Sequence, residues 1–209
     1  MDGAFPVLVG WGGIGPKQEG DGRSHEGIFG LGPVFGYSSD PPPGLELPTD
    51  PTRVRVGAQT AGVNLHYEPM TPGALCVDDP ESGFYNRILD PDTFPDEPST
   101  LKDWTRAETM RRDLAHGDDL YRWGVVVRHN EERLPGVGSC IFLHVWRDRN
   151  SPTDGCTAMR EEDLLEVIRW LSQGSGEGKG PLLVQGTRAF LKGLRREDLL
   201  PYEVPRLAP

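Results

Sequence analysis

Proline and glycine are spread through this chain at a density that excludes an architecture of long helices. The 209 residues include 27 glycines and 20 prolines, and three consecutive prolines occupy positions 41–43. An internal proline removes a helix hydrogen bond, and glycine weakens a helix. The five tryptophans are distributed along the chain and are costly to leave in water, which favours a folded protein over a disordered one. The composition therefore predicts a folded, turn-rich protein built from short elements.

Charge and cysteine usage exclude several classes of function. The formal net charge of -10 argues against a nucleic-acid partner, because phosphates demand Lys and Arg. The three cysteines, Cys76, Cys140 and Cys156, are an odd number, so at least one is a free thiol or pairs outside the chain. No CxxC or CxxH spacing exists, and we expect no metal site and no cofactor. No apolar run approaches the roughly 20 residues of a membrane helix. The first residues, MDGAFPVLVGWGG, also lack the pattern of a secretory signal, unless the N-terminus is trimmed.

The pattern of apolar residues predicts mostly strands. Strands are predicted at 5–10, 27–37, 53–59, 121–128, 139–146 and 181–185, and helices at 101–114, 160–171 and 186–199. The best helix is 160–171, because Leu164, Val167, Ile168 and Leu171 recur at helical spacing and acidic residues crowd its first turn. The link 130–138 has the length of a hairpin loop. The sum is a mainly β chain with two or three short helices.

One segment, residues 138–159, carries residues suited to nucleophilic chemistry. It places His144 late in a buried-looking strand and Cys156 twelve residues on, after Thr153, Asp154 and Gly155. A thiolate is the reactive form of cysteine, so a nucleophilic cysteine needs an imidazole or a positive dipole nearby to lower its pKa. Gly155 would let the backbone approach closely and leave amides free to donate to an oxyanion. By themselves these residues fit a structural histidine and a small buried cysteine better than a nucleophile and its base.

The same segment resembles the catalytic signature of the L,D-transpeptidase (YkuD) family. The strand reads GSCIFLHV and the cysteine motif reads PTDGCTA, as in the branch with G-S-x-I-F-L-H-V and P-T-x-G-C-x-A. Further collinear stretches match that branch: Lys17-Gln18-Glu19-Gly20-Asp21-Gly22 with Gly27-Ile28-Phe29, Cys76-Val77-Asp78-Asp79-Pro80 with Ser82 and Tyr85-Asn86-Arg87, and Met110 and Asp113 with Tyr121. The resemblance spans residues 8–171, most of the chain.

The resemblance implies a fold and a domain organisation. It implies a compact mixed β-sandwich and one catalytic domain over residues 1–209, with the motifs in 8–171 and residues 172–209 packed on it as a C-terminal extension. The family acts on peptidoglycan stem peptides as both donor and acceptor, which implies an extracytoplasmic location in the periplasm or cell wall. Cys76 and Cys140 are expected as buried small hydrophobes, although a disulfide between them would suit an exported protein.

The resemblance also implies a two-step acyl transfer. Cys156 would attack the carbonyl between the third and fourth residues of a stem peptide, form a thioester and release D-alanine. His144 would act as base and then acid. The amides of Gly155 and Cys156 are the expected oxyanion donors. An amine of a second stem would then take the acyl group.

Departures from the family pattern leave the acceptor open. Many members carry Ser-His-Gly-Cys with Arg or Asn two residues after the cysteine, whereas this chain has Thr153-Asp154-Gly155-Cys156 and Ala158. An L,D-carboxypeptidase that uses water as the acceptor is therefore the alternative. A catalytically silent cell-wall-binding module is a third hypothesis.

Other residues carry two interpretations each. Thr153 and Asp154 are candidate substrate contacts, and Trp146, two residues past His144, forms either core or a wall of the donor site. Tyr85 and Asn86 either line the cleft or hold a loop. Asp78 and Asp79 fit a turn before Pro80 better than an amine or metal site. The remaining histidines, His25, His66, His116 and His129, lack partners at catalytic spacing and are expected at the surface or in caps.

Overall fold

The computed structural model describes residues 4–45, 65–93, 102–173 and 181–196. The strands are β1 (Val7–Leu8), β2 (Ile14–Gly15), β3 (Ser24–His25), β4 (Gly27–Gly36), β5 (Tyr67–Pro69), β6 (Leu75–Val77), β7 (Ile88–Leu89), β8 (Ala107–Thr109), β9 (Trp123–Val127), β10 (Phe142–Val145), β11 (Thr157–Met159) and β12 (Leu182–Gln185). The helices are α1 (Arg112–Ala115), α2 (Glu161–Gln173) and α3 (Arg188–Arg196), with a 3-10 turn at Pro91–Thr93. The protein is mainly β, with mixed sheets and short helices, as the sequence predicts.

A seven-stranded mixed sheet forms the centre of the molecule. Its strands follow the order β1-β11-β10-β9-β4-β12, and β5 also pairs with β4. β10 and β11 run parallel, as do β4 and β5, and the other pairs in this sheet are antiparallel. The predicted hairpin is present, because β9 and β10 are antiparallel neighbours. Since β12 pairs with the start of β4, part of the C-terminal extension belongs to the sheet.

Helix α2 covers one face of this sheet. Its Leu164, Ile168 and Leu171 are almost fully buried and lie in one apolar cluster with Leu143 and Val145 of β10. Their spacing of four and three residues places them on one side of the helix. This face is a packed apolar core.

The opposite face carries a second, smaller sheet. Strands β7, β6 and β8 form an antiparallel sheet of three strands, and β2 and β3 form a separate parallel pair. A second apolar cluster contains Phe142 from β10 and Phe35 from β4, together with Met110 and Tyr121. Two layers of sheet therefore enclose the region in which the predicted nucleophile lies.

The helix predicted at 101–114 is wrong over most of its described length. Residues 102–111 are not helical; Ala107–Thr109 form β8, and the helix α1 begins only at Arg112. Long-range bonds explain the difference: β8 pairs with β6, and both the amide and the hydroxyl of Thr105 donate to Asp79 Oδ2 at 2.7 Å. Tertiary pairing overrides a moderate helix propensity. The strand predicted at 53–59 lies outside the described residues.

Among the described residues, no helix combines the length and the apolar composition needed to cross a membrane.

Candidate active site

His144 lies on the sheet face that looks towards the smaller sheet. Side chains alternate along β10, so Leu143 and Val145 point to the α2 side while Phe142 and His144 point the other way. The His144 Nδ1 atom lies 2.7 Å from the carbonyl oxygen of Val145. A carbonyl only accepts hydrogen bonds, so Nδ1 carries the proton and Nε2 is the acceptor nitrogen of the neutral ring.

Cys156 ends the loop that leads into β11 and is a buried free thiol. The amide of Phe142 donates to its Sγ at 3.3 Å, and the thiol lies 3.5 Å from the carbonyl oxygen of Cys140. Because β10 and β11 are parallel neighbours, the residue before β11 comes to lie beside the start of β10. The fold therefore brings the sulfur to the strand that carries His144, on the same face.

The turn before Cys156 is held by two hydroxyl groups. The Thr153 hydroxyl donates to the carbonyl of Cys156 at 2.6 Å and accepts from the amide of Gly155 at 3.2 Å. The Ser24 hydroxyl donates to the same carbonyl at 2.9 Å. Thr153 thus fixes the backbone at the nucleophile. In this state the Gly155 amide, expected as an oxyanion donor, is bonded to Thr153.

Gly155 is required by its conformation and by a close neighbour. Its φ of 144° is unfavourable for residues with a Cβ, and a Cβ there would lie 2.9 Å from Lys17 Nζ. Lys17 is itself buried and forms a 3.0 Å ion pair with Asp21. The absence of a side chain at Gly155 therefore admits a buried ammonium group next to Cys156.

Cys156 and His144 open onto one cavity of about 460 Å³. Its polar and charged walls are Lys17, Glu19, Asp78, Arg106, Glu108, Arg112, Tyr121, Ser139, Arg147, Ser151, Thr153 and Asp154, and Trp146 also lines it. The cavity is large enough for a peptide-sized acyl group and carries charges of both signs.

Burial keeps both reactive groups neutral. It lowers the pKa of His144 to about 4, and the nearby Arg112 adds to this effect. Burial, followed by the charge of Glu108, raises the pKa of the Cys156 thiol to about 12, against the opposing effects of the Phe142 amide and Lys17. The expectation of a lowered thiol pKa is therefore wrong, because desolvation of the thiolate outweighs the nearby positive groups.

The predicted site residues fall into two groups. Cys156, His144, Thr153, Asp154 and Trp146 line the cavity, whereas Gly155 lies beneath Cys156 against Lys17. The structure therefore brings together the residues predicted from the segment 138–159.

Tyr85 and Asn86 lie outside the cavity wall and hold the loop before β10. The Tyr85 hydroxyl donates to Glu19 and accepts from the amide of Gly138. The Asn86 side chain donates to the carbonyls of His129 and Asn130 and accepts from the amide of Cys140. Of the two roles left open by the sequence, these contacts correspond to holding a loop.

The two other cysteines form a disulfide, Cys76–Cys140. It joins β6 of the smaller sheet to the residue whose carbonyl faces the Cys156 thiol. The prediction of two small buried hydrophobes was thus incomplete, and the alternative of a disulfide is the one observed.

The adjacent aspartates, Asp78 and Asp79, differ in role. Asp79 accepts from the amide of Glu81 at 3.1 Å, which confirms the predicted turn. Bonds from the Thr105 amide and hydroxyl, with that of Glu81, lower the pKa of Asp79 to about 2. Asp78 lines the cavity, and its Oδ1 is buried with no hydrogen-bond partner among the described residues.

Sequence reasoning missed several residues of the cavity. Nothing in the sequence pattern singled out Glu108, Arg112 or Arg147 as site residues. Tyr121 was singled out only by the family resemblance. The Tyr121 ring meets the His144 ring edge-on at 5.3 Å between centroids. Glu108 lies in a segment predicted to be helical, so no sequence signal could have placed it opposite Cys76.

His129 is not the surface or capping residue expected. It is 4% exposed, and its Nδ1 lies 2.6 Å from Nδ1 of His25. Burial lowers the pKa of His129 to about 4. The Nε2 of His129 donates to the carbonyl of Val137 at 2.9 Å, so in the neutral ring its Nδ1 accepts from Nδ1–H of His25.

Comparison with known proteins adds no assignment. No family model, no curated protein and no solved structure matches this chain.

Proposed function

We propose that this protein is a cysteine acyltransferase of the L,D-transpeptidase type that acts on peptidoglycan stem peptides. The single observation that carries the proposal is that Cys156 and His144 share one sheet face and one cavity of about 460 Å³. The family resemblance of the segment 138–159 supplies the substrate class. A thiol, a neutral imidazole and space for an acyl group in one cavity support this proposal.

His144 is suited to act as a general base. Its Nδ1–H donates to Val145, which fixes the ring and leaves Nε2 unprotonated. Because its pKa is about 4, the ring is neutral at neutral pH and Nε2 offers a lone pair for the thiol proton. A base with so low a pKa is weak, so the transfer depends on the groups that favour a thiolate at Cys156, the Phe142 amide and Lys17. The Cys156 thiol faces the Cys140 carbonyl, so proton transfer to His144 requires the S–H bond to turn away from that carbonyl.

Cys156 then attacks the carbonyl carbon between the third and fourth residues of the stem. The S–C bond forms, the thiol proton passes to His144, and collapse of the tetrahedral intermediate breaks the C–N bond. His144 returns that proton to the leaving amine of D-alanine. The Phe142 amide and the ammonium of Lys17 favour negative charge on sulfur during attack.

The charges of the cavity suit a stem peptide. Such peptides carry carboxylates and, at the diamino acid, a primary amine. Arg112 and Arg147 line the cavity and share the carboxylate of Asp118 at 2.7 and 3.9 Å. Glu19 and Asp78 also line it. Cations and carboxylates in one cavity support a ligand with both kinds of group.

An extracytoplasmic location belongs to the same proposal. Disulfides persist in oxidising compartments such as the periplasm, and the Cys76–Cys140 disulfide supports such a location.

Carbapenem acylation followed by intact-protein mass spectrometry tests the nucleophile. Because Cys76 and Cys140 are joined, Cys156 is the free thiol, and we expect a single adduct on the wild type. The matched variant Cys156→Ala keeps the disulfide and should give no adduct. An unmodified wild type, in which iodoacetamide still labels one thiol after unfolding, would refute an activated nucleophile.

A tetrapeptide stem then separates the three hypotheses. D-alanine release with transfer to an added amine supports a transpeptidase, and a tripeptide product despite the amine supports a carboxypeptidase. Binding without release, unchanged in Cys156→Ala, supports a silent wall-binding module.

A further inference from the structure

Glu108 is a cavity carboxyl group that the mechanism above does not use. It lies at the centre of β8, opposite Cys76 in the antiparallel pairing with β6. Residues opposite each other in such a pair share a face. Cys76 is bonded to Cys140, whose carbonyl oxygen lies 3.5 Å from the Cys156 sulfur. The pairing therefore places the Glu108 carboxyl group on the nucleophile side of the smaller sheet, and Glu108 lines the same cavity as Cys156.

One oxygen of Glu108 is held while the other is left for a ligand. The Tyr121 hydroxyl donates to Oε1 at 2.5 Å, and the Arg112 guanidinium lies 3.9 Å from the same oxygen. Within the described residues, Oε2 has no hydrogen-bond partner. Tyr121 also contacts the His144 ring, so the carboxyl group is fixed relative to the base of the first step.

Burial makes Glu108 a stronger base than an exposed carboxylate. Burial raises its pKa, Tyr121 and Arg112 oppose that rise, and the negative charges of Asp78 and Asp154 add to it. Its own charge in turn disfavours a thiolate at Cys156. A carboxylate with a raised pKa accepts protons more readily at neutral pH.

We propose that Glu108 is the general base for the acceptor amine in the second half of the reaction. This inference rests on the proposed function. It assigns to the carboxylate the removal of a proton from the acceptor. An alkyl amine arrives protonated, and an ammonium group has no lone pair for attack.

In the second half of the reaction the acceptor nitrogen loses two protons. One proton of the acceptor ammonium passes to Glu108, and the freed lone pair attacks the thioester carbonyl carbon. The C–N bond forms, the C–S bond breaks, and its electron pair leaves on the Cys156 sulfur. A second proton of the nitrogen passes through His144 to that sulfur, which restores the thiol. Glu108 then loses its proton to solvent in the cavity.

Two acceptor amines of similar size test the assignment in the full chain. Ethylamine is an ammonium ion at neutral pH, whereas 2,2,2-trifluoroethylamine is already neutral. Glu108→Gln keeps an oxygen that can accept from Tyr121 but cannot take a proton. We expect this variant to lower transfer of the stem acyl group to ethylamine by about 10²-fold relative to transfer to trifluoroethylamine. Carbapenem adduct formation should persist, which shows that the variant is folded.

The variant Glu108→Asp is the control for a merely structural role. It keeps a carboxylate that can take a proton, so it should retain more transfer to ethylamine, relative to trifluoroethylamine, than Glu108→Gln does. An equal effect of Glu108→Gln on the two amines, or the same amine preference in both Glu108 variants, would overturn the assignment. Failure of the proposed function has a different signature, because the wild type itself would then release no D-alanine and form no adduct.

Discussion

The two faces of strand β10 differ in chemistry although they come from the same four residues. Leu143 and Val145 pack against α2 in a cluster of apolar side chains. Phe142 and His144 face the smaller sheet, where the cavity contains a thiol, an imidazole and charged groups. Successive side chains of a strand point to opposite faces, so neighbouring residues of β10 belong in turn to the apolar core and to the cavity. Substitutions on the two faces should therefore affect different measured quantities.

The largest effect is expected for His144→Gln. Loss of the base should slow Cys156 acylation by about 10²–10⁴-fold, measured as the rate of carbapenem adduct formation. Leu143→Ala, one residue away on the opposite face, is the matched control. It should lower stability and leave the rate per folded molecule close to that of the wild type. A similar rate loss in both variants would show that the two faces are not independent.

Truncation of a buried side chain on the α2 face should lower stability alone. Leu164 is fully buried in the apolar cluster, and Leu164→Ala should lower the free energy of unfolding by about 2–5 kcal/mol. The same substitution at Leu114, which is 61% exposed, should change it by less than about 0.5 kcal/mol. Urea unfolding followed by tryptophan fluorescence measures both. Equal losses would contradict the packing described for α2.

The disulfide connects the smaller sheet to the cavity, so its removal should affect both the stability of the protein and the rate of Cys156 acylation. The double variant Cys76→Ala/Cys140→Ala should lose about 2–4 kcal/mol of stability, because the unfolded chain regains the freedom of a loop with a separation of 64 residues. It should also slow acylation, since the Cys140 carbonyl and the Phe142 amide contact the sulfur. Cys156→Ala keeps the disulfide and provides the comparison for stability. A double variant as stable as Cys156→Ala would refute this role.

The smallest effect concerns pH. Burial lowers the pKa of both His144 and His129 to about 4, so between pH 6.5 and 4 the unfolded chain binds more protons than the folded one. Stability is therefore complete above the unfolded pKa and falls as the pH drops. We expect a loss of roughly 1 kcal/mol for each imidazole between about pH 7.5 and pH 6.

Single variants assign this pH dependence. His129→Gln should remove the part of the pH-dependent loss of stability that is due to His129. Replacing the exposed His116 should leave the pH dependence unchanged. Denaturant unfolding at the two pH values measures the change. A stability that stays constant over this range in the wild type would contradict two buried neutral histidines.

Local pattern predicted the long elements and one part of the candidate site. The strand that became β4, the hairpin of β9 and β10, and α2 are visible because their apolar period continues over several residues. The segment 138–159 holds its own residues together, because β10, which carries His144, and β11, which Cys156 directly precedes, are adjacent parallel strands. Strands β6 and β8 have only three residues each, which is too few for an alternation of apolar and polar residues to be recognised.

The sequence by itself determined that this chain is mainly β and that His144, Cys156 and their turn belong together. Only the tertiary structure decided the rest of the cavity: it joined Cys76 to Cys140, brought Glu108 opposite Cys76, and buried Lys17 against Gly155. It also decided that the thiol and the imidazole are both neutral at neutral pH, because both are buried. The physical reason is that alternation and turn chemistry are local, whereas burial and long-range pairing depend on segments far apart in the chain.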